Sequence, residues 1–383
     1  MIVAVPKETA PGERRVALVP ETAGKLVKAG LGVRVEAGAG AEASFTDAAY
    51  QSAGATVSPG AEAFWAEADV VLKAQKLGTH PRFGRHEAEL VREGGAVVGL
   101  LYPFANRDTV AVLARRRVTS FSLDLLPRIT RAQPMDALSA MSTVAGYKAV
   151  LLAAAASGRF LPMLVTAAGT IPPAKALILG AGVAGLQAIA TARRLGAVVQ
   201  AFDVRPAAKE QVESLGAHFI AAEAVTTDAE GAGGYAKQLS DEQHRRELEL
   251  IHRHIKEVDL VISTALIPGK RAPVLVTEEM VRDMRAGAVI VDLAAEAGGN
   301  CTLTKPGEDV VLNGVTILGP LNLPSTLPTH ASQMYSRNIS SFLSHLIKDG
   351  RLNVDLGDEI TSGTCVTHEG KIVNEAVQKA VGR

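Results

Sequence analysis

Residues 175–205, KALILGAGVAGLQAIATARRLGAVVQAFDVR, constrain this chain more than any other stretch. A short apolar run, Ala176 to Leu179, leads into Gly180-Ala181-Gly182-Val183-Ala184-Gly185. Leu186, Ile189, Ala190 and Arg193 then recur at helical spacing, and a second apolar run, Val198 to Phe202, ends at Asp203. Strand, glycine turn, helix, strand and acid follow one another as in a dinucleotide-binding unit. Gly180 permits the tight turn, Gly182 lets the backbone approach a pyrophosphate, and Gly185 lets helix and strand pack closely. The helix N-terminus offers unpaired N–H groups and a partial positive charge to the phosphates. Asp203 can accept hydrogen bonds from ribose hydroxyls and would repel a 2′-phosphate, which favours NAD over NADP. The competing reading is a glycine-rich turn in an unrelated α/β protein; both strands, the helix and the acid at its usual distance argue against it.

A chain of 383 residues is long enough for two domains with large cores. Lys+Arg and Asp+Glu balance at 40 each, so no net field draws the protein to nucleic acid or to an acidic lipid surface. Only Cys301 and Cys365 occur, without metal spacing, which fits a reducing compartment. The start, MIVAVPKE, meets a proline and charges too early for a signal peptide, and no segment reads as a membrane span. The chain on its own is expected to be soluble.

Before the glycine turn, strands are expected at 1–6, 33–36, 55–58, 69–72, 96–101 and 118–121, alternating with helices. This rhythm implies a parallel, doubly wound sheet without a phosphate fingerprint of its own. Residues 124–147 break the rhythm, crowding Arg128, Arg131, Gln133, Asp136 and Ser139 into the connection between two α/β units. The composition suits a solvated linker with a helix capped near Asp136; the functional alternative is a loop at the domain cleft that orients the nicotinamide half of a cofactor. A helix is expected from Ala137 to about Ser157. Residues 222–241 are small and polar, with Gly231, Gly233 and Gly234 preceding Tyr235, as in a lid or an ordinary flexible excursion. On the helix 242–256, His252 and His254 lie two residues apart and cannot share a face, which argues against a metal site. Strands at 258–263, 288–293 and 315–318 complete the second sheet. A long amphipathic helix from Ser332 to Gly350, bearing Met334, Ile339, Phe342, Leu343 and Leu346, returns the chain to the first domain. The fold class is therefore α/β, with two Rossmann-like doubly wound parallel-sheet domains around a cleft. The first, 1–135, is discontinuous and completed by 325–383; the second, 140–320, binds NAD(H).

Several blocks make the chain more specific. Asp203-Val204-Arg205-Pro206-Ala207, Gly233-Gly234-Tyr235-Ala236-Lys237, Thr264-Ala265-Leu266-Ile267-Pro268-Gly269, Glu296-Ala297-Gly298-Gly299-Asn300-Cys301 and Ser362-Gly363-Thr364-Cys365-Val366 join the glycine turn. Together they resemble the NAD(H)-binding component (domain I, the alpha or alpha-1 subunit) of proton-translocating NAD(P) transhydrogenases, a family itself similar to alanine dehydrogenases. The resemblance implies that Arg128, Ile129, Thr130 and Arg131, with Gln133, Asp136 and Ser139, form the nicotinamide-side loop. Gln133 is then expected to bridge toward a second nucleotide, and Arg128, Gln133 and Asp136 are the candidate catalytic residues. The resemblance further assigns Val183, Asp203, Val204 and Arg205 to the adenosine half, Leu266 to the nucleotide, and Tyr235, with Gly234 before it, to a mobile loop, beside the cofactor-binding glycines Gly180, Gly182 and Gly185 of the turn. Glu247 departs from the pattern, standing where a glutamine is expected.

Chemistry separates the two related activities. Oxidising an amino acid needs a base to take a proton and groups to hold a carboxylate. Alanine dehydrogenases carry a histidine after the strand matching 96–101 and an aspartate in the turn matching 294–299. This chain reads Gly99-Leu100-Leu101-Tyr102-Pro103-Phe104-Ala105 and Glu296 there, and Arg15 and Lys73, at substrate-like positions, are read as structural. Hydride transfer between two nicotinamides needs no protein acid or base, only two rings in contact and dry. The resemblance thus implies hydride transfer from NADH on this chain to NADP⁺, of the NADP(H) bound on the beta subunit, coupled to proton translocation by membrane subunits. It also implies a homodimer, peripheral at the cytoplasmic face of the inner membrane through its partners, the chain itself lacking transmembrane helices. An alanine dehydrogenase-like enzyme and an NAD-sensing binding module are the alternatives.

Overall fold

The computed structural model describes residues 1–221, 240–267 and 271–382. The chain divides into two compact units, Met1–Met141 with Pro324–Arg383, and Ser142–Leu323.

In the first unit, short β-branched runs give six parallel strands: β1 (Ile2–Val5), β2 (Gly32–Glu36), β3 (Thr56–Ser58), β4 (Val70–Leu72), β5 (Ala96–Gly99) and β6 (Thr119–Ser122). Between them run α1 (Pro20–Lys28), α2 (Asp47–Ser52), α3 (Glu62–Ala66), α4 (Glu87–Leu90) and α5 (Arg107–Arg115). The order β3-β2-β1-β4-β5-β6 reverses between β1 and β4, the doubly wound topology that the alternation of strands and helices implied. The next helix, α6 (Ala137–Ala156), contains the boundary between the units. It is long and apolar enough to cross a membrane, contrary to expectation, but Ala149, Val150 and Ala153 are buried in the second unit's core.

The second unit opens with a hairpin missed in sequence, β7 (Leu164–Thr166) and β8 (Gly169–Ile171). Its apolar side chains point to water and so give no core-like alternation: Met163 is 60% exposed and Val165 74%. The main sheet comprises β9 (Lys175–Leu179), β10 (Val198–Phe202), β11 (His218–Ile220), β12 (Leu260–Ser263), β13 (Val289–Asp292), β14 (Asp309–Leu312) and β15 (Val315–Leu318). The order is β11-β10-β9-β12-β13-β15-β14, parallel except for β14, an unforeseen edge strand whose Val311 faces solvent. The helices are α7 (Val183–Arg194), α8 (Ala208–Ser214), α9 (Asp241–Ile255) and α10 (Glu278–Asp283). On α7 the buried face is Gly185, Ala188, Ile189 and Ala192, about one residue from the face expected, and Arg193 points outward. Small residues there let the helix lie close on β9 and β10, whose Ile178, Val199 and Ala201 share its core.

Back in the first unit, α11 (Pro328–Leu346) starts a turn before the expected Ser332, because Pro328 suits the first helical position and lacks only an N–H that would be unpaired anyway. Tyr335, rather than Met334, joins Ile339, Phe342, Leu343 and Leu346 in the buried face. A two-residue hairpin, β16 (Ile347–Lys348) and β17 (Arg351–Leu352), precedes α12 (Glu359–Thr364), β18 (Cys365–His368), β19 (Lys371–Ile372) and α13 (Glu375–Val381). A turn at 368–371 closes the β18–β19 hairpin, with Glu369 and Gly370 both at positive φ as a two-residue turn of this type requires. β18 pairs antiparallel with β6, so the returning chain extends the first sheet.

Candidate functional site

Ligands of open α/β sheets bind outside the strand carboxyl ends, where the strand order reverses. In the second unit that point lies between β9 and β12, and the register sets Phe202, Leu179, Ser263 and Asp292 side by side. The residues just beyond them are Asp203, Gly180, Thr264 and Leu293.

Gly180 has φ +97°, a left-handed backbone that glycine adopts at least cost. A Cβ on Gly185 would lie 1.8 Å from the carbonyl oxygen of Gly180, so the first turn of α7 lies directly on the glycine turn. Among the described residues a Cβ on Gly182 would meet nothing within 4 Å, so their packing makes no demand for glycine there. Val183, first residue of α7, is exposed. Gly146 of α6, unremarked in sequence, makes a third close approach, since its Cβ would stand 2.0 Å from the Ala184 carbonyl oxygen.

Asp203 is buried, and its carboxylate is used within the chain. Oδ1 accepts the Arg205 backbone N–H (2.9 Å) and Nε–H (2.8 Å); Oδ2 accepts Arg205 Nη2 (2.7 Å) and the Ala181 N–H (2.7 Å). A carboxylate offers about four acceptor positions, and here the chain fills that number. The acid expected to meet ribose hydroxyls thus also ties the glycine turn to Arg205. Val204 packs against the core formed by Leu179, Phe202 and Ile251. Glu247, on α9, is buried, and its Oε2 lies 2.9 Å from His244 Nδ1. Burial raises its pKa; His244 opposes the rise and Asp203's charge adds to it. A raised carboxyl favours the fold below its unfolded pKa and loses that advantage as pH climbs through the folded value. Glu247→Gln, which removes the charge, is therefore expected to raise Tm more at pH 8 than at pH 5. Calorimetry at the two pH values is the check, and equal shifts count against it.

Beneath the turn, side chains that sequence alone did not single out lock the loops. Thr264 Oγ1 donates to the Gly180 carbonyl oxygen (3.1 Å). Asn300 is fully buried; Oδ1 accepts the Ala265 N–H (3.0 Å) and Nδ2 donates to the carbonyls of Ala265 (2.9 Å) and Pro273 (2.7 Å). This fixes the strand-end segment carrying Leu266, which is 44% exposed. Asp292, fully buried at the end of β13, accepts five hydrogen bonds. Ser263 Oγ and the Ala294 N–H reach Oδ1, both at 3.0 Å; the N–H groups of Asn300 (2.7 Å) and Cys301 (3.0 Å) and Thr304 Oγ1 (2.7 Å) reach Oδ2. Its sequence signal was a polar residue closing an apolar strand.

In the first unit, Thr130–Met135 forms a 3-10 segment with Pro134 inside it. Ala132 and Met135 are buried while Arg128, Thr130, Arg131 and Gln133 face outward, and Ile129 is partly covered. Asp136 stands just before α6 and its Oδ1 accepts the Ser139 N–H at 2.8 Å, the cap expected of it. The expected residues thus fall into two groups, 128–139 in one unit and 180–205 with Leu266 in the other. Gly234 and Tyr235, the expected lid, lie outside the described residues.

The first unit's own switch point, between β1 and β4, carries buried ion pairs in place of a glycine turn. Lys73 Nζ lies 2.9 Å from Glu8 and 3.0 Å from Glu87, and Arg15 pairs with Glu13 at 2.6 Å, all within the interior. Burial works against the charge on Lys73, but Glu8 and Glu87 outweigh it and hold the ammonium above its usual range. Both cations therefore have structural partners within the fold. Glu296 Oε1 accepts the backbone N–H of Asn322 at 2.9 Å.

Comparison with known proteins fits this architecture. Residues 4–145 match the family description "Alanine dehydrogenase/PNT, N-terminal domain" and residues 149–375 match "Alanine dehydrogenase/PNT, C-terminal domain". The chain belongs to the alanine dehydrogenase/PNT family. Within the family it is 51% identical to the first part of the NAD(P) transhydrogenase alpha subunit of Rhodospirillum rubrum, across 98% of this chain and 99% of that one. The solved structure of the transhydrogenase from Sinorhizobium meliloti superposes with a TM-score of 0.87 at 44% identity, covering 97% of this chain and all of that one. A structure named L-alanine dehydrogenase superposes with a TM-score of 0.82 at 28% identity, covering 100% and 99%. The chain is thus related to the alpha subunits of NAD(P) transhydrogenases, with the alanine dehydrogenases at greater distance.

Proposed function

We propose that this chain holds NAD(H) within residues 140–320 and exchanges hydride with NADP(H) bound on a transhydrogenase beta subunit. The observation that carries the reading is the turn Gly180–Gly185 closing on Asp203, in a chain without a histidine in the segment after β5. The residues present fit the group. Gly182 leaves room for a pyrophosphate at the N-terminus of α7, a twelve-residue helix whose first N–H groups lack intrahelical partners. Asp203, with Arg205 beside it, selects a ribose bearing free hydroxyls. Val183, Val204 and Leu266 supply apolar contact. When bound, the nicotinamide supplies the hydride or accepts it. Arg128, Gln133 and Asp136, with Ile129, Thr130, Arg131 and Ser139, orient the ring and exclude water, and Gly234 and Tyr235 are counted with the cofactor-binding residues.

No residue of this chain then has to move a proton in the redox step. Proton translocation falls to membrane subunits, and the chain sits peripherally on them at the cytoplasmic face. A homodimer is part of the reading, and the β7–β8 hairpin, with Met163, Val165 and Ile171 exposed, supplies an apolar surface suited to a second copy.

Mixing the purified chain with the NADP-binding domain of a beta subunit should give reduction of NADP⁺ by NADH, followed with a spectrally distinct analogue. Each component alone should give none. Turnover of pyruvate, ammonia and NADH by the isolated chain would instead support an alanine dehydrogenase, and comparable affinities for NADH and NADPH would refute the role given to Asp203.

A further inference from the structure

The outward-facing residues Arg128, Thr130, Arg131 and Gln133 lie on a segment with little regular structure, so something must hold it still. Two contacts within the first unit do so. Asn338 of α11 donates from Nδ2 to the Pro134 carbonyl oxygen at 2.9 Å. Arg131 donates from Nη2 to Asp358 Oδ1 at 3.0 Å. Asp358 is also the N-cap of α12, its Oδ2 accepting the N–H groups of Ile360 (3.0 Å) and Thr361 (2.9 Å) and Thr361 Oγ1 (3.2 Å). The same oxygen lies 3.0 Å from His345 Nε2 of α11. One carboxylate therefore joins the loop, α11 and α12.

We propose that Asp358 is a positioning residue for hydride transfer: by gripping Arg131 against α11 and α12 it fixes the loop that presents Arg128 and Gln133. This rests on the reading that residues 128–136 serve the transhydrogenase reaction. An exposed arginine–carboxylate pair contributes little stability by itself. Here the acceptor is already immobilised by four other contacts, so the guanidinium docks on a fixed point and loses less freedom in doing so. The charge is also secure. Burial raises the Asp358 pKa, but the Thr361 N–H, Arg131 and His345 outweigh it and hold the carboxyl well below the usual range. The grip consequently persists across the whole neutral range.

Asp358→Asn tests this, because asparagine still caps a helix but no longer attracts the guanidinium. In the isolated chain, hydrogen exchange of the amides in 128–136 should quicken at least tenfold while β9 and β10 stay unchanged; equal exchange overturns the proposal. In the complex with the NADP-binding domain, kcat should fall about tenfold with the KM for NADH within twofold, since a loop displaced by a fraction of an ångström misplaces reacting groups more than it weakens binding. Arg131→Ala should absorb the effect, the double variant being no slower than Arg131→Ala; additive losses overturn the proposal. If Asp358→Asn does not fold, His345→Ala, which leaves the cap intact, should lower kcat several-fold, and an unchanged kcat overturns the proposal. Quickened loop exchange with a wild-type pair that transfers no hydride would support the grip and reject the functional reading.

Discussion

Gly185→Ala should cost the protein about two orders of magnitude in NADH affinity while leaving the first unit intact. The added methyl would sit 1.8 Å from the Gly180 carbonyl oxygen and 2.8 Å from its carbon, both backbone atoms, so no rotamer change relieves the clash. Either α7 retreats from the turn or the turn moves, and both separate the helix N-terminus from the glycine loop. Losing two charge-assisted N–H contacts to phosphate, at ~1.5 kcal/mol each, gives about a hundredfold weaker binding. Overpacking costs a further 1–3 kcal/mol or so of stability. Titration of NADH by fluorescence checks the first effect, and a loss below threefold would show that Gly185 is not the contact point between helix and turn. Gly182→Ala isolates the second role: with nothing among the described residues within 4 Å, it should leave Tm unchanged and still weaken binding.

The other large effect is expected at Asp292. Its two oxygens accept five donors from Ser263, Ala294, Asn300, Cys301 and Thr304, so asparagine can satisfy only one side of the arrangement. Turning its amide toward Oδ1's partners lets the Ser263 hydroxyl reverse and accept, but the Ala294 N–H faces another donor. Orphaning one buried N–H and weakening three charge-assisted bonds should together cost about 3 kcal/mol. The chain would lose both the β12 and β13 end loops, including the Asn300 clamp on Ala265. Urea denaturation of Asp292→Asn is the measurement, and a loss under about 1 kcal/mol would mean the loops are held by other contacts.

Much of this was legible in sequence where a local pattern dictates the outcome. The apolar runs before Gly180 and Asp203 could only be strands of a parallel sheet, and the alternation of strand and helix from Ile2 to Ser122 made the first sheet doubly wound. The cap at Asp136 and the turn at Glu369-Gly370 were equally readable, because each is decided by residues within one turn of chain. What escaped depends on partners distant in sequence. Gly146 looks like an ordinary helix glycine until Ala184, 38 positions away, is seen against it. Asp292 reads as no more than a polar residue closing an apolar strand until its donors are counted, and Arg131 as a solvated linker residue until Asp358 is placed beside it. The β7–β8 hairpin escaped for another reason: with its apolar residues pointing to water, neither period of burial is present to be read.

On the proposed reading, in which Asp203 meets the ribose, the fork of Arg205 on Asp203 bears on how fast the cofactor comes and goes. Since every acceptor position on that carboxylate is already spoken for, an incoming sugar trades places with a guanidinium rather than with water. The swap would replace a bidentate ion pair by hydrogen bonds from neutral hydroxyls, so it would select among sugars while adding little to residence time. On that reading the anchor discriminates without gripping, which would suit a site that releases its nucleotide on every cycle.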